Sequence, residues 1–201
     1  MDAGVGLISV EVGTAMWDRF FTVSPLVLVG TTEKSGEYDL APKHMALPLG
    51  WEGYFGFVCT PEHATYWNAR RAGVFTVSYP RATQVVLASL AAAPRDSQTG
   101  CKPSLRAIQT FPASVVDGVL LDDGYLFFEC ELERVIDGFG ANSLLMGRIV
   151  AAHVRSDALR DIDVDDQDLI FRRPLLAYLP PGRFSRIRRS LSFPFYETAD
   201  D

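Results

Sequence analysis

The chain has 201 residues, 48% of them hydrophobic and 22% charged, with a formal net charge of −6. That composition supplies a sizeable core without disulfide staples and excludes a disordered chain. The acidic balance argues against nucleic acid or an anionic membrane surface as the main partner. The longest apolar run, 85–93, is too short to cross a bilayer.

Three scattered cysteines (Cys59, Cys101 and Cys130) form no Cys-x-x-Cys pair and read as reduced thiols of a soluble, cytoplasmic protein. His44, His63 and His153 are too dispersed for a zinc set. No basic region precedes the N-terminal apolar stretch, which Glu11 interrupts, so no secretory signal is expected.

Residues 4–12 are apolar and β-rich, and 14–21 read as a helical turn or an irregular lead-in. The run 26–32, LVLVGTT, predicts a strand. A turn is expected at 33–36. Residues 39–51, with two prolines and a glycine, read as a long ordered loop. A second strand is expected at 54–59. Thr60-Pro61-Glu62 is a helix-start signal, and that helix should run from 61 to 71 and stop at Gly73.

A third strand is expected at 74–79 and a helix at 82–93, ended by Pro94. Residues 95–112 read as loop. Strands follow at 125–132 and 144–154, with Gly147 marking a bulge or a close backbone approach. The tail, 175–196, is mixed, with prolines at 180, 181 and 194. The pattern suits one mainly β, antiparallel domain with added helices, with a core at about 17–155 and a C-terminal extension at 156–201.

Several motifs are absent. There is no Gly-x-Ser-x-Gly elbow and no P-loop. Gly138-Phe-Gly140 lacks the third glycine and the βαβ setting of a dinucleotide fingerprint. The acidic run Asp161, Asp163, Asp165, Asp166, Asp168 places Asp166 and Arg172 where a calcium loop needs Gly and Glu, so it reads as a solvated surface loop.

One stretch concentrates Lys43, His44, Thr60, His63 and Thr65 around a strand end and a helix start. A phosphate needs cations, hydroxyls and unpaired backbone N–H groups together, and a helix start supplies the last of these. Met45, Trp51, Tyr66 and Trp67 could wall a flat ring. The same residues would also serve as an ordinary capped helix beside a surface loop.

Three segments resemble a known family. They are Ser24 to Thr32, ending in paired threonines; Gly36-Glu-Tyr-Asp-Leu-Ala-Pro42; and Ala64-Thr-Tyr-Trp-Asn68 leading to Val74-Phe-Thr-Val-Ser78. Phe128 to Leu132 and Met146 to Val150 resemble its later core strands. Their order and spacing are similar to the flavin reductase-like, FMN-binding split β-barrel proteins.

The resemblance implies an antiparallel Greek-key split barrel, a homodimer, and FMN (or FAD) near the subunit interface. It implies that Thr31, Thr32 and the 39–45 loop, with Asp39, Leu40, Ala41 and Met45, contact the isoalloxazine and ribityl chain. Lys43, His44, Thr60, His63 and Thr65 are then the phosphate residues, Asn68 braces the loop, and Cys59 lies near the flavin or is simply a small buried residue. Backbone N–H groups near Thr32 and Ala41 would bond the ring. Asp39 replaces the family's usual Asn, and Lys-His-Met replaces Ser-x-Phe. Asn142 stands where some family reductases carry the histidine of a Gly-Asp-His motif.

The expected activity is hydride transfer from NAD(P)H to flavin, chemistry that needs no protein general base. The alternatives are a non-enzymatic FMN carrier or store, and a split-barrel oxidase of another phosphorylated substrate. His153 reads as a satisfied core or interface histidine. The basic segment Arg183, Arg186, Arg188, Arg189 reads as a solvated surface, or as recognition of a nucleotide phosphate or the partner subunit.

Overall fold

The structure is a computed structural model that describes residues 6–96 and 102–194. Cys101 lies outside the described residues. A 3-10 turn at Thr14–Asp18 leads into β1 (Ser24–Pro25) and β2 (Val27–Thr32). Then come β3 (Tyr38–Lys43), β4 (Ala46–Pro48), β5 (Tyr54–Cys59), helix α1 (Ala64–Ala72) and β6 (Val74–Tyr79). Helix α2 (Val85–Leu90) precedes the short strands β7 (Thr110–Pro112) and β8 (Val119–Leu121). Two long strands, β9 (Leu126–Phe139) and β10 (Asn142–Val154), form a hairpin. The chain ends in α3 (Asp166–Arg172), β11 (Leu175–Leu179) and β12 (Arg183–Ile187).

Seven strands make one antiparallel sheet in the order β3-β2-β6-β9-β10-β5-β4. Its two edge strands, β3 and β4, are consecutive in the chain and separated only by His44 and Met45. A flat seven-stranded sheet would hold its edges six strand spacings apart, about 28 Å. Two residues cannot span that, so the sheet curls until its edges meet. The Met45 carbonyl accepts from Val58 N at 2.8 Å and ties this seam to β5.

The curl gives the sheet an inner and an outer face. Val27, Val29, Phe55, Phe57, Phe75 and Val77 alternate into the main core, joined by Tyr66 and Ala69 of α1. Leu28 and Leu40 point the other way, into a smaller core under α2 and β8. Gly147 fulfils both roles expected of it. The β9–β10 register shifts beside it, and a Cβ there would stand 2.6 Å from the Phe75 ring and 2.9 Å from the Glu131 carbonyl.

Several expected elements differ. Residues 39–51 hold two strands, because Pro42 and Pro48 fall on sheet edges, where a missing N–H costs no ladder bond. Helix α1 starts three residues late. Thr60 does cap, accepting from Glu62 N at 3.3 Å, but it caps a separate turn whose His63 N bonds the Thr60 carbonyl at 3.0 Å. The 82–93 helix shrinks to a 3-10 turn at Ala82–Gln84 followed by α2, with Gln84 bonding Arg81 N and the Asp122 carbonyl.

The described residues of 4–12 form no strand, because no neighbouring strand pairs with them. Within the expected 95–112 loop, Thr110–Pro112 pairs with β8. The acidic run does not stay a loop: Asp165 accepts from Gln167 N and Asp168 N and starts α3. The basic tail segment begins as a strand: Arg183 and Arg186 lie on β12, paired with β11, and Arg188 and Arg189 follow it.

Candidate functional site

The seam between β3 and β4 collects the charged groups. Because β3 is a strand, its side chains alternate. Asp39, Ala41 and Lys43 sit opposite Thr31, Val29 and Val27 and share their inner face. Leu40, Pro42 and His44 take the outer side. Lys43 and His44, expected to act together on a phosphate, are therefore divided between two faces.

Lys43 is 8% exposed and, among the described residues, has no carboxylate within ion-pair distance. Its charge is felt by the Cys59 thiol, whose Sγ donates to the Thr60 carbonyl at 3.6 Å, and the Tyr66 backbone N–H in the first turn of α1 donates to the His63 carbonyl at 3.1 Å. Burial pushes the Cys59 thiol up in pKa, against the pull of Lys43, so the sulfur stays protonated. It is a packed polar contact and not a nucleophile.

His63 immediately precedes α1. Desolvation, then the neighbouring Lys43 and Lys102, lower its pKa, with Glu62 opposing them. Thr65 is 2% exposed, and its hydroxyl makes no hydrogen bond within the described residues. Lys43 and Lys102 thus lie near enough to His63, just before α1, to act on it, and Thr65 is buried in the first turn of that helix. A helix start beside cations is a setting that suits an anion. Thr60 contributes its hydroxyl to the turn before the helix.

Lys102 lies far from this stretch in sequence and was not expected. Its Nζ donates to Asp39 Oδ1 at 3.2 Å and to the Leu40 carbonyl at 3.0 Å. Burial lowers its pKa, while Asp39 opposes the shift. Arg95 completes the group, 2.9 Å from Asp39 Oδ2 and also paired with Glu33. Asp39 is thereby held between two cations.

The threonine pair lies about 13 Å along the strand from Lys43, four residues at ~3.3 Å each. Thr31 is buried and accepts from Asn68 Nδ2 at 3.3 Å, so Asn68 braces the strand end and not the loop. The Thr32 hydroxyl donates to the Asp117 carbonyl at 3.1 Å, and Arg71 donates to the Thr32 carbonyl. The Thr32 hydroxyl proton is engaged internally, whereas the Thr31 oxygen only accepts and its O–H can still donate.

Leu40 is buried in the outer core, and Ala41 is buried on the inner face. Met45 is half-exposed at the seam. His44 is turned away from Lys43. Its ring lies 4.8 Å from that of Tyr178, and it lines an apolar cavity of about 520 Å³ with Pro42, Val86 and Phe184. Burial, then Lys43, lowers its pKa.

A second buried anion shapes the wall beside Thr32. Glu129 is fully buried. It accepts from Ser114 N and Oγ, Val115 N, Val116 N and His153 Nε2 at 2.6–3.0 Å. Burial alone would raise its carboxyl, but the Ser114 groups and the following amides bring it down to about 2. The loop it holds carries Asp117, which also accepts from Tyr38 OH at 2.9 Å. His153 is a satisfied histidine.

A curled antiparallel sheet whose two edge strands meet at a seam carrying buried cations defines a half-barrel class of protein. The chain belongs to the flavin reductase like domain family, which matches residues 19–179. Among solved structures it is similar to the flavoredoxin of Desulfovibrio vulgaris (Miyazaki F), with a TM-score of 0.73 at 19% identity over 98% of each chain. It is also similar to the Pseudomonas fluorescens 2-nitrobenzoate 2-nitroreductase, with a TM-score of 0.70 at 19% identity over 89% of this chain and 88% of that one. A Streptomyces globisporus NADH:FAD oxidoreductase gives 0.65 at 14% identity over 83% and 87%. At these identities the likeness establishes the fold, a split β-barrel.

Proposed function

We propose that this protein binds FMN, with the phosphate at the start of α1 between Lys43, His63, Lys102 and Thr65. The ribityl chain and ring would then run along the inner edge of β3 toward Thr31 and Thr32. The observation that carries this reading is Lys43, a buried ammonium on the inner face of β3 with no carboxylate within ion-pair distance among the described residues, whose charge is felt by His63 just before α1. A buried cation is costly unless it is paired, so its site is built for an anion. FAD would place a diphosphate on the same groups.

The reaction we infer is flavin reduction by NAD(P)H. The bound flavin would accept a hydride at its ring, and the protein's residues would supply position and charge. Lys43, Lys102 and His63 hold the phosphate, the β3 backbone orients the ring system, and Asp117 fixes the Thr32 edge. No side chain of the cradle is required to move a proton. The family membership and the oxidoreductase among its structural relatives support this reading. A non-enzymatic FMN carrier is the second reading, favoured by Asn142, which stands where some reductases of the family place histidine.

The deciding measurement compares FMN with riboflavin, which lacks the phosphate, by fluorescence quenching. The native protein should bind FMN more tightly. Lys43→Met should weaken FMN about 10- to 100-fold, the loss of one charge-assisted bond of roughly 1.5–3 kcal/mol, and leave riboflavin unchanged. Equal affinity for both flavins in the native protein would refute the cradle. Oxidation of NADH or NADPH with added FMN separates the reductase from the carrier.

A further inference from the structure

A cavity of about 900 Å³ lies away from the proposed flavin cradle and shares none of its residues. Its walls are α3, the segment after β12, and the chain turns at Arg81 and Tyr125. Six arginines face it, against two acids, Asp165 and Asp166. In a chain of net charge −6 this is a strong local reversal of sign.

Four of the arginines are already neutralised. Asp157 holds Arg81 at 2.8 Å and Arg173 at 2.9 Å. Asp166 holds Arg160 at 2.6 Å, and Asp168 lies 3.8 Å from Arg172. Arg186 and Arg188 have no carboxylate within ion-pair distance among the described residues. They are two apart on extended chain, so they share a side.

The backbone that carries them is fixed. Gln167 of α3 donates to the Arg188 carbonyl at 3.0 Å and accepts from Ser190 N and Oγ. Leu169, Ile170, Leu175 and Leu191 supply apolar wall between the charges.

We propose that this cavity is a second ligand site, for a small organic anion with an apolar body and one carboxylate or phosphate group. Arg186 and Arg188 are the residues that hold the anion. A guanidinium fork matches either group bidentately, and two unpaired forks on a tethered backbone lose little freedom on binding. The paired arginines keep the rim rigid, and the leucine and isoleucine side chains take the apolar body. The volume lies in the range of small-molecule sites, about 300–1,000 Å³.

Calorimetric titration of the full chain tests this with three probes of one shape: naphthoate, naphthyl phosphate and the uncharged naphthalenemethanol. One or both anions should bind one per chain, with the neutral probe at least about tenfold weaker, the worth of a charge-assisted bond. The tighter of the two anions identifies the group the site prefers. The double variant Arg186→Ala/Arg188→Ala should lose at least about tenfold for the anion while keeping its melting temperature and its FMN quenching.

No saturable binding of either anion, equal binding by the double variant, or displacement of the anion by FMN would each overturn the proposal. Failure of the flavin cradle in its own test would leave this result unaffected, because the two sites share no residue.

Discussion

Lys43 keeps only 8% of its surface in contact with solvent, yet no carboxylate among the described residues reaches it. Asp39, the acid nearest along β3, is already shared by Lys102 and Arg95. The local excess of positive charge is therefore structural, and it adds to the desolvation that chiefly holds His63 below its usual pKa. In the proposed cradle Thr65 would add a hydroxyl that has no hydrogen-bond partner among the described residues. Thr65→Val should weaken FMN by a few-fold, about 0.5–1.5 kcal/mol for one hydrogen bond, and leave riboflavin unaffected, as a quenching titration will show.

Glu129 titrates in the opposite sense from a buried carboxyl without donors. Its folded pKa of about 2 lies below its ordinary 4.5, so the unfolded chain takes up the proton first. The stability it contributes is complete above pH 4.5 and is lost as pH falls toward 2. Glu129→Gln should cost about 2–4 kcal/mol at neutral pH by leaving three amides and a hydroxyl poorly matched. Denaturant melts of the two proteins should converge between pH 4.5 and 2. A gap that stays constant over that range would refute the role given to its charge.

At the scale of elements, the barrel depends on close backbone approach as much as on hydrophobic pattern. Gly147 sits where β10 passes over Phe75, and the Glu131 carbonyl behind it belongs to the β9 backbone, which cannot rotate away. Gly147→Ala should destabilise by about 1–3 kcal/mol, as overpacking does. Adding Phe75→Leu should recover part of that loss, a coupling that a double-mutant cycle with chemical denaturation would read. Gly73 plays a different part. It ends α1 in the left-handed region at φ 70°, so the chain can enter β6 without a gap.

For the whole molecule, the exposed apolar surface is the conspicuous quantity. Leu7, Ile8, Val12, Trp17 and Phe21 all lie in the N-terminal approach to the sheet and are more than half exposed. A contiguous apolar stretch of this kind is a liability in a monomer. We expect a second copy of the chain to cover it, in keeping with the homodimer that the family resemblance implies. Light scattering should give twice the 22.2 kDa chain mass. Trp17→Glu with Phe21→Glu should shift that mass toward the single chain.

Among the described residues, no helix is long and apolar enough to cross a membrane. The main strands β2, β5 and β6 were legible as short, apolar, β-branched and aromatic runs bounded by turn residues. The order of the family-like segments pointed to the split barrel that the comparisons show. The cradle was half legible. Lys43, His63 and Thr65 stood out as cations and a hydroxyl at a strand end and a helix start.

Lys102 carried no local signal, because it meets Asp39 from 63 positions along the chain. His44 was misleading for the converse reason. It is adjacent to Lys43 in sequence, but the two-residue period of an extended chain sends neighbours to opposite faces. The prolines at 42 and 48 hid that strand, since only its place at a sheet edge makes them harmless.

By itself, then, the sequence determined the local conformations and the chemical inventory, because propensity, turn chemistry and side-chain type act over a few residues. Only the tertiary structure decided which face each charge occupies, which cations remain unpaired, and that a distant lysine joins the seam. Those follow from how the sheet curls, and curling is set by contacts between residues far apart in the chain.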